Sequence, residues 1–155
     1  PSILANVVNA ISKIDFDDKS NFGVLKEAPV IEDKIKHNDV KTYLELIKDY
    51  GLYGQKLDSI YKTLEQEKPG RKGMILRNIA DLYKLEKGKL TNKNDIETIR
   101  SNADLIIENI INKLDKEAKQ SANIDADNED IKAAIFIVVA DAFMRCKILE
   151  DPNEQ

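Results

Sequence analysis

The 155-residue chain has one cysteine, one histidine, no tryptophan and few residues that break helices. Cys146 has no partner within the chain, so an internal disulfide framework is excluded and a reducing compartment is expected. With His37 as the sole histidine, zinc sites built from cysteine and histidine are excluded as well. A Ser/His/Asp or Cys/His centre would need His37 beside a nucleophile, and it stands between Lys36 and Asn38. No apolar run reaches the ~18–20 residues of a membrane span, so no membrane association and a cytoplasmic location are expected. Only four Pro and six Gly punctuate the chain, too few for a sandwich or barrel with its many turns.

Charge is plentiful, at 34 % of residues, yet the net value is only −4. Strong overall attraction to nucleic acid or an anionic membrane is therefore not expected. The distribution is uneven: residues 68–93 carry +6, residues 1–67 carry −3 and residues 94–155 carry −7.

Apolar residues recur at helical spacing through most of the chain. Ile3, Leu4, Val7, Val8, Ile11 and Ile14 predict a first helix, with Ser2 placed to cap it. Asp15 to Pro29 reads as a long connection, and Ile31 and Ile35 as one apolar turn. Asn38 is then placed to cap a helix carrying Val40, Tyr43, Leu44 and Ile47, ended by Gly51 and Gly54. Leu57, Ile60, Tyr61 and Leu64 mark a further helix that stops at Pro69-Gly70. From about Lys72 to Glu86 a helix sets Ile75, Ile79, Leu82 and Tyr83 against Arg77, Asp81 and Lys84, and Gly88 closes it.

Asn94 is placed to cap the strongest amphipathic helix: Ile96, Ile99, Ala103, Ile106, Ile110 and Leu114. Gln120 to Asn128 is polar, and Asn128 is placed to cap a last helix reaching about Glu150, before Pro152. Between Ala133 and Phe143 that helix is apolar nearly all round, as a helix covered by neighbours must be. No period-two strand pattern persists. The expected fold is all-α: a single bundle of about six helices around the apolar C-terminal one.

Candidate chemistry is sparse. Asp125, Asp127 and Glu129 alternate as in a calcium loop, but Asp130 stands where glycine must turn the chain and Phe136 where a bidentate Glu is needed. Acids at a helix N-terminus explain them better. Gly51-Leu-Tyr-Gly54 and Gly70-Arg-Lys-Gly73 lack the spacing and Gly-Lys-Ser/Thr ending of a phosphate loop. Asp141 lies inside the apolar run, where a carboxylate is costly unless paired; Arg145, four residues on, is the expected structural partner. The basic segment offers Arg71, Lys72, Arg77 and Lys84 as possible partner contacts, with Tyr83 its only aromatic. Stacking of single-stranded bases needs more than that. No catalytic residue, metal or cofactor is expected, and the chain reads as a non-enzymatic interaction module.

The run Ala140-Asp-Ala-Phe-Met-Arg-Cys-Lys-Ile-Leu-Glu-Asp-Pro152 resembles the ending of the helical C-terminal domains of ABC-three-component, or Lamassu-type, anti-phage systems. Ile31-Glu-Asp-Lys-Ile-Lys-His-Asn38 and Leu57-Asp-Ser-Ile-Tyr61 are similar to upstream parts of the same domains. The resemblance implies a docking or assembly domain placed after an N-terminal effector, in a protein that works with an ATPase of the chromosome-maintenance type and a small middle component. It also implies that residues 1–155 are one helical domain excised from the C-terminal end of a longer protein. Oligomerisation or docking in a multi-component defence system is the leading expectation. Self-association through the off-stripe apolar residues Leu46, Leu105 and Phe136 belongs to it. A nucleic-acid-binding helical domain using residues 68–93 and a small acidic immunity-type protein are the alternatives.

Overall fold

The computed structural model describes residues 3–13, 33, 36–51, 53–91, 95–121, 126–145 and 149. Expectations placed on Ser2, Ile14, Asp15 to Pro29, Ile31, Ile35, Asn94, Asp125, Cys146, Glu150 and Pro152 lie outside these. Among the described residues there are seven helices, a short helical turn at 36–38 and no strand. The helices are α1 (Ile3–Ile11), α2 (Leu44–Gly51), α3 (Gly54–Glu67), α4 (Arg71–Gly88), α5 (Ile96–Ser101), α6 (Ala103–Lys119) and α7 (Asn128–Met144).

The apolar run of α7 decides the architecture. Ile131, Ala134, Ile135, Ile137, Val138, Val139, Ala140, Ala142 and Phe143 are all buried. They point in every direction around the helix, so α7 can only be satisfied by neighbours on all sides. Helices α1, α2, α3, α4 and α6 supply them, α2 and α6 most extensively. Each brings one apolar stripe: Val7, Val8 and Ile11 from α1; Leu57, Tyr61 and Leu64 from α3; Ile106, Ile110 and Leu114 from α6. One continuous core results.

Several helix boundaries differ from the sequence expectation, each for a local reason. The chain does not enter α2 from an Asn38 cap. Asn38 is fully buried, and Asp39 adopts a left-handed φ of 55°, so the helical direction is broken there. The carboxylate of Asp104 on α6 serves the α2 N-terminus instead. It accepts from the backbone N–H groups of Lys41 (3.2 Å), Thr42 (3.0 Å) and Tyr43 (3.3 Å). Gly54 begins α3 rather than ending α2. Glu65 does for α4 what Asp104 does for α2, accepting from the N–H of Gly70 at 3.0 Å and of Lys72 at 2.8 Å. Gly70 itself sits at φ 93°, a conformation that favours glycine.

The long amphipathic helix expected from Ile96 is two helices. At Asn102 (φ −113°, ψ 9°) the side-chain amide donates to the Thr98 carbonyl at 2.8 Å. The Asn102 backbone N–H turns to Ile99 at 3.1 Å, so the side chain has taken over a main-chain bond and the helix breaks. The caps of α5 and α7 are Asp95, accepting from Glu97 N–H, and Asp127, accepting from Asp130 N–H, each extended as an N-cap must be. Asp127 caps α7 in place of Asn128, because its charge also suits the helix dipole. Helix α7 ends at Met144, well short of Glu150. Arg145 is its C-cap, and Leu149 is buried at a left-handed φ of 58°.

Two outcomes test this arrangement. Val138 is fully buried, and Val138→Asp should destabilise the chain by more than ~3 kcal/mol in urea denaturation, as expected of a buried unpaired charge. Near-wild-type stability would mean that α7 is not central. Asp104→Ala should cost about 1–2 kcal/mol and raise hydrogen exchange at the amides of Lys41, Thr42 and Tyr43, since they lose their acceptor. Unchanged exchange there would remove the Asp104 cap.

Candidate functional site

The basic segment is less available than its charge suggests. Arg71 pairs with Glu67 at 3.2 Å and Lys84 with Asp81 at 3.9 Å. Lys89 donates to Glu86 at 2.9 Å, and Lys72 and Lys87 stand 5.8 and 5.9 Å from the rings of Tyr61 and Tyr83. Arg77, exposed on α4, has no acid or ring partner among the described residues. The four residues expected to contact a partner are therefore split: Arg71 and Lys72 lie half-buried at the start of α4, and Arg77 and Lys84 on its exposed side.

That exposed side carries two residues the sequence reading did not single out. Met74 is 63 % exposed and Leu85 is 60 % exposed. Eleven residues at about 100° each bring them to nearly the same angle, about three turns and ~16 Å apart. Projecting α4 on a helical wheel would have shown both opposite the Ile75, Ile79 and Tyr83 stripe. Of the off-stripe residues in other helices, Leu105 is 52 % exposed, whereas Leu46 is half-buried and Phe136 packs against the core.

A second missed residue is Glu86, 3 % exposed in the midst of the basic segment. It continues the apolar stripe of α4 seven residues after Ile79. Burial pushes its carboxyl up, but Lys89, Asn109 and Lys113 more than reverse this and hold it below the usual carboxylate range. Asn109 donates at 3.0 Å and Lys113 lies at 3.1 Å, both from α6. Glu86 thereby ties α4 to α6.

Asp141 and Arg145 are brought together at the C-terminal end of α7. The Arg145 Nε donates to Asp141 Oδ2 at 2.8 Å, and its other arm reaches Asp58 on α3. The guanidinium carbon stands 5.8 Å from the ring of Tyr61, whose hydroxyl is buried without a hydrogen-bond partner. This cluster clamps the end of the central helix onto α3. Among the described residues no group of histidine, cysteine, aspartate or glutamate is placed to hold a metal ion. His37 is half-buried, its Nε2 also lacking a hydrogen-bond partner. It stands alone: Cys146 falls outside the described residues.

The family model for C-terminal domain 10 of the ABC-three component (ABC-3C) systems matches residues 2–150. The chain belongs to that family. No curated protein matches it, and neither does any solved structure. The family assignment accords with the resemblance carried by residues 140–152 and places the domain in multi-component defence systems. Among the described residues of this C-terminal domain, no helix is long and apolar enough to cross a membrane.

The clamp gives the domain a measurable pH response. Burial raises the Asp141 carboxyl from 3.8 to about 6, against the opposing hydrogen bond and charge of Arg145. The folded state then holds the proton more tightly than the unfolded chain. This group's contribution to stability therefore falls as pH rises from about 4 to about 6, and is level above that, by on the order of 3 kcal/mol in all. Asp141→Asn should abolish this slope and leave the variant more stable than wild type at pH 7 in thermal melts across pH. Arg145→Met should instead destabilise at pH 7, because the buried carboxylate loses its partner. A parallel pH profile for wild type and Asp141→Asn would show that the carboxyl is not held up.

Proposed function

We propose that this domain is a non-enzymatic helical docking and oligomerisation module, working in the cytoplasm within a multi-component defence system. The observation that carries the reading is the outer face of α4, where Met74 and Leu85 are largely exposed on one stripe. Apolar side chains exposed together with charges beside them are what a partner surface needs, since the apolar pair supplies desolvation and the charges supply orientation. Arg77 and Lys84 are those charges. Family membership adds that other components exist to be docked.

The nucleic-acid reading is weaker, because most of the basic segment's described cations already engage local acids or rings and Tyr83 is buried rather than free to stack.

Light scattering after size exclusion, on the chain alone and mixed with the other components of its system, tests the proposal. The expected result is a mass above the 17.6 kDa of one chain. Met74→Ser with Leu85→Ser should lower that mass toward monomer without changing the melting temperature by more than a few degrees, both residues being exposed. Charge reversal at Arg77 and Lys84 should weaken association more at low salt than at high salt. A strictly monomeric chain that captures no component would retire the docking role.

A further inference from the structure

A groove of about 590 Å³ runs between α1 and α3 and ends at the start of α4. Its floor is aliphatic, with Ala10, Ile60 and Leu64. Its walls are hydrogen-bonding side chains: Asn6 and Asn9 on one side, Ser59 and Thr63 on the other. The two hydroxyls donate back into their own helix, Ser59 to Gln55 at 3.2 Å and Thr63 to Ser59 at 3.1 Å, which leaves their oxygens turned to act as acceptors. Among the described residues three cations stand around it, Lys13, Lys56 and Arg71, against one acid, Glu67. Arg71 and Glu67 neutralise each other at 3.2 Å. Lys13 and Lys56 are exposed and have no acid partner among the described residues.

The groove therefore presents an aliphatic floor, amide and hydroxyl walls and two ammonium groups with no acid partner among the described residues, in a chain whose net charge is −4. We infer that this groove receives an acidic segment of a protein partner, its apolar side chains on Ile60 and Leu64 and its carboxylates on Lys13 and Lys56. The inference rests on the docking reading and names the partner's chemistry. A peptide fits better than a nucleic acid: among the described residues no aromatic side chain lines the groove to stack a base, and its walls match the donors and acceptors of a peptide backbone. Met74 stands one helical turn beyond Arg71, so a segment leaving the groove along α4 meets an exposed apolar side chain directly.

Fluorescence anisotropy of the full chain with overlapping synthetic peptides from the other component proteins tests the inference. Acidic peptides with aliphatic residues should bind, more weakly as salt rises. Lys13→Glu combined with Lys56→Glu should weaken them roughly tenfold or more, as two reversed surface pairs would. Both lysines are exposed, so an unchanged circular dichroism melt should confirm that the variant is folded. If a component binds the chain but ignores the Lys13/Lys56 reversal and responds only to Met74→Ser and Leu85→Ser, the groove is overturned while the docking role stands. If no component binds, both fall together. If a single-stranded thymidine oligonucleotide binds with Lys13/Lys56 dependence and acidic peptides do not, the groove serves nucleic acid and the inference is overturned.

Discussion

A helix that is apolar on every side cannot offer water any face, and α7 is such a helix. Everything else in this fold follows from covering it. Five helices contact α7, and each needs only a single apolar stripe to do so. Division of labour of this kind explains why α1, α2, α3 and α6 are strongly amphipathic while α7 has almost no preferred side. It also explains the cost accepted at Asp141, the one carboxylate among the buried side chains of α7. That group lies where the helix emerges toward α3, so a single guanidinium can serve it and Asp58 together. Arg145 is thus an anchor where the buried part of the central helix meets charge.

The use of acids elsewhere follows a related logic. Asp95 and Asp127 cap their own helices, while Asp104 and Glu65 cap α2 and α4 from neighbouring elements. A cap borrowed from another helix satisfies orphan N–H groups and fixes how two elements sit. Asp104 holds α2 to α6 in this way, and α2 is the helix most extensively packed on α7. Glu86 makes the equivalent tie between α4 and α6 through side chains alone. Tertiary order in this chain is therefore carried by carboxylates at seams as well as by aliphatic contact within.

What was legible in the sequence divides along the same line. The helices, their apolar faces and the central place of residues 133–143 were legible, because periodicity reports burial directly. The pairing of Asp141 with Arg145 was legible too, since partners four residues apart share a helical face. Asn102 was invisible to that method: Ile99 and Ala103 keep the helical spacing across the break, which is made by a side-chain amide. The cap of α2 was equally hidden, because its acceptor lies more than sixty residues away along the chain. Met74, Leu85 and Glu86 violate the expected distribution, two apolar residues outside and one acid inside. Violations of that kind point to a site or a seam, and a wheel projection of α4 would have exposed all three.

The charge asymmetry of the sequence takes on a different meaning in the fold. A segment of +6 looks like a surface for polyanions. Five of its seven described cations instead meet Glu67, Asp81, Glu86 or a tyrosine ring at close range, so they already have local partners. Among the described residues, the cations without such a partner include Lys68 and Arg77 within the segment and, outside it, Lys13 and Lys56 at the groove. Free charge rather than total charge determines what a surface attracts, because a paired ion at ordinary ionic strength is nearly neutral beyond a Debye length of about 8 Å. These free cations stand beside aliphatic surface, not aromatic surface. Aliphatic contact combined with isolated cations is the chemistry on which the proposed peptide partner, with its carboxylates, rests.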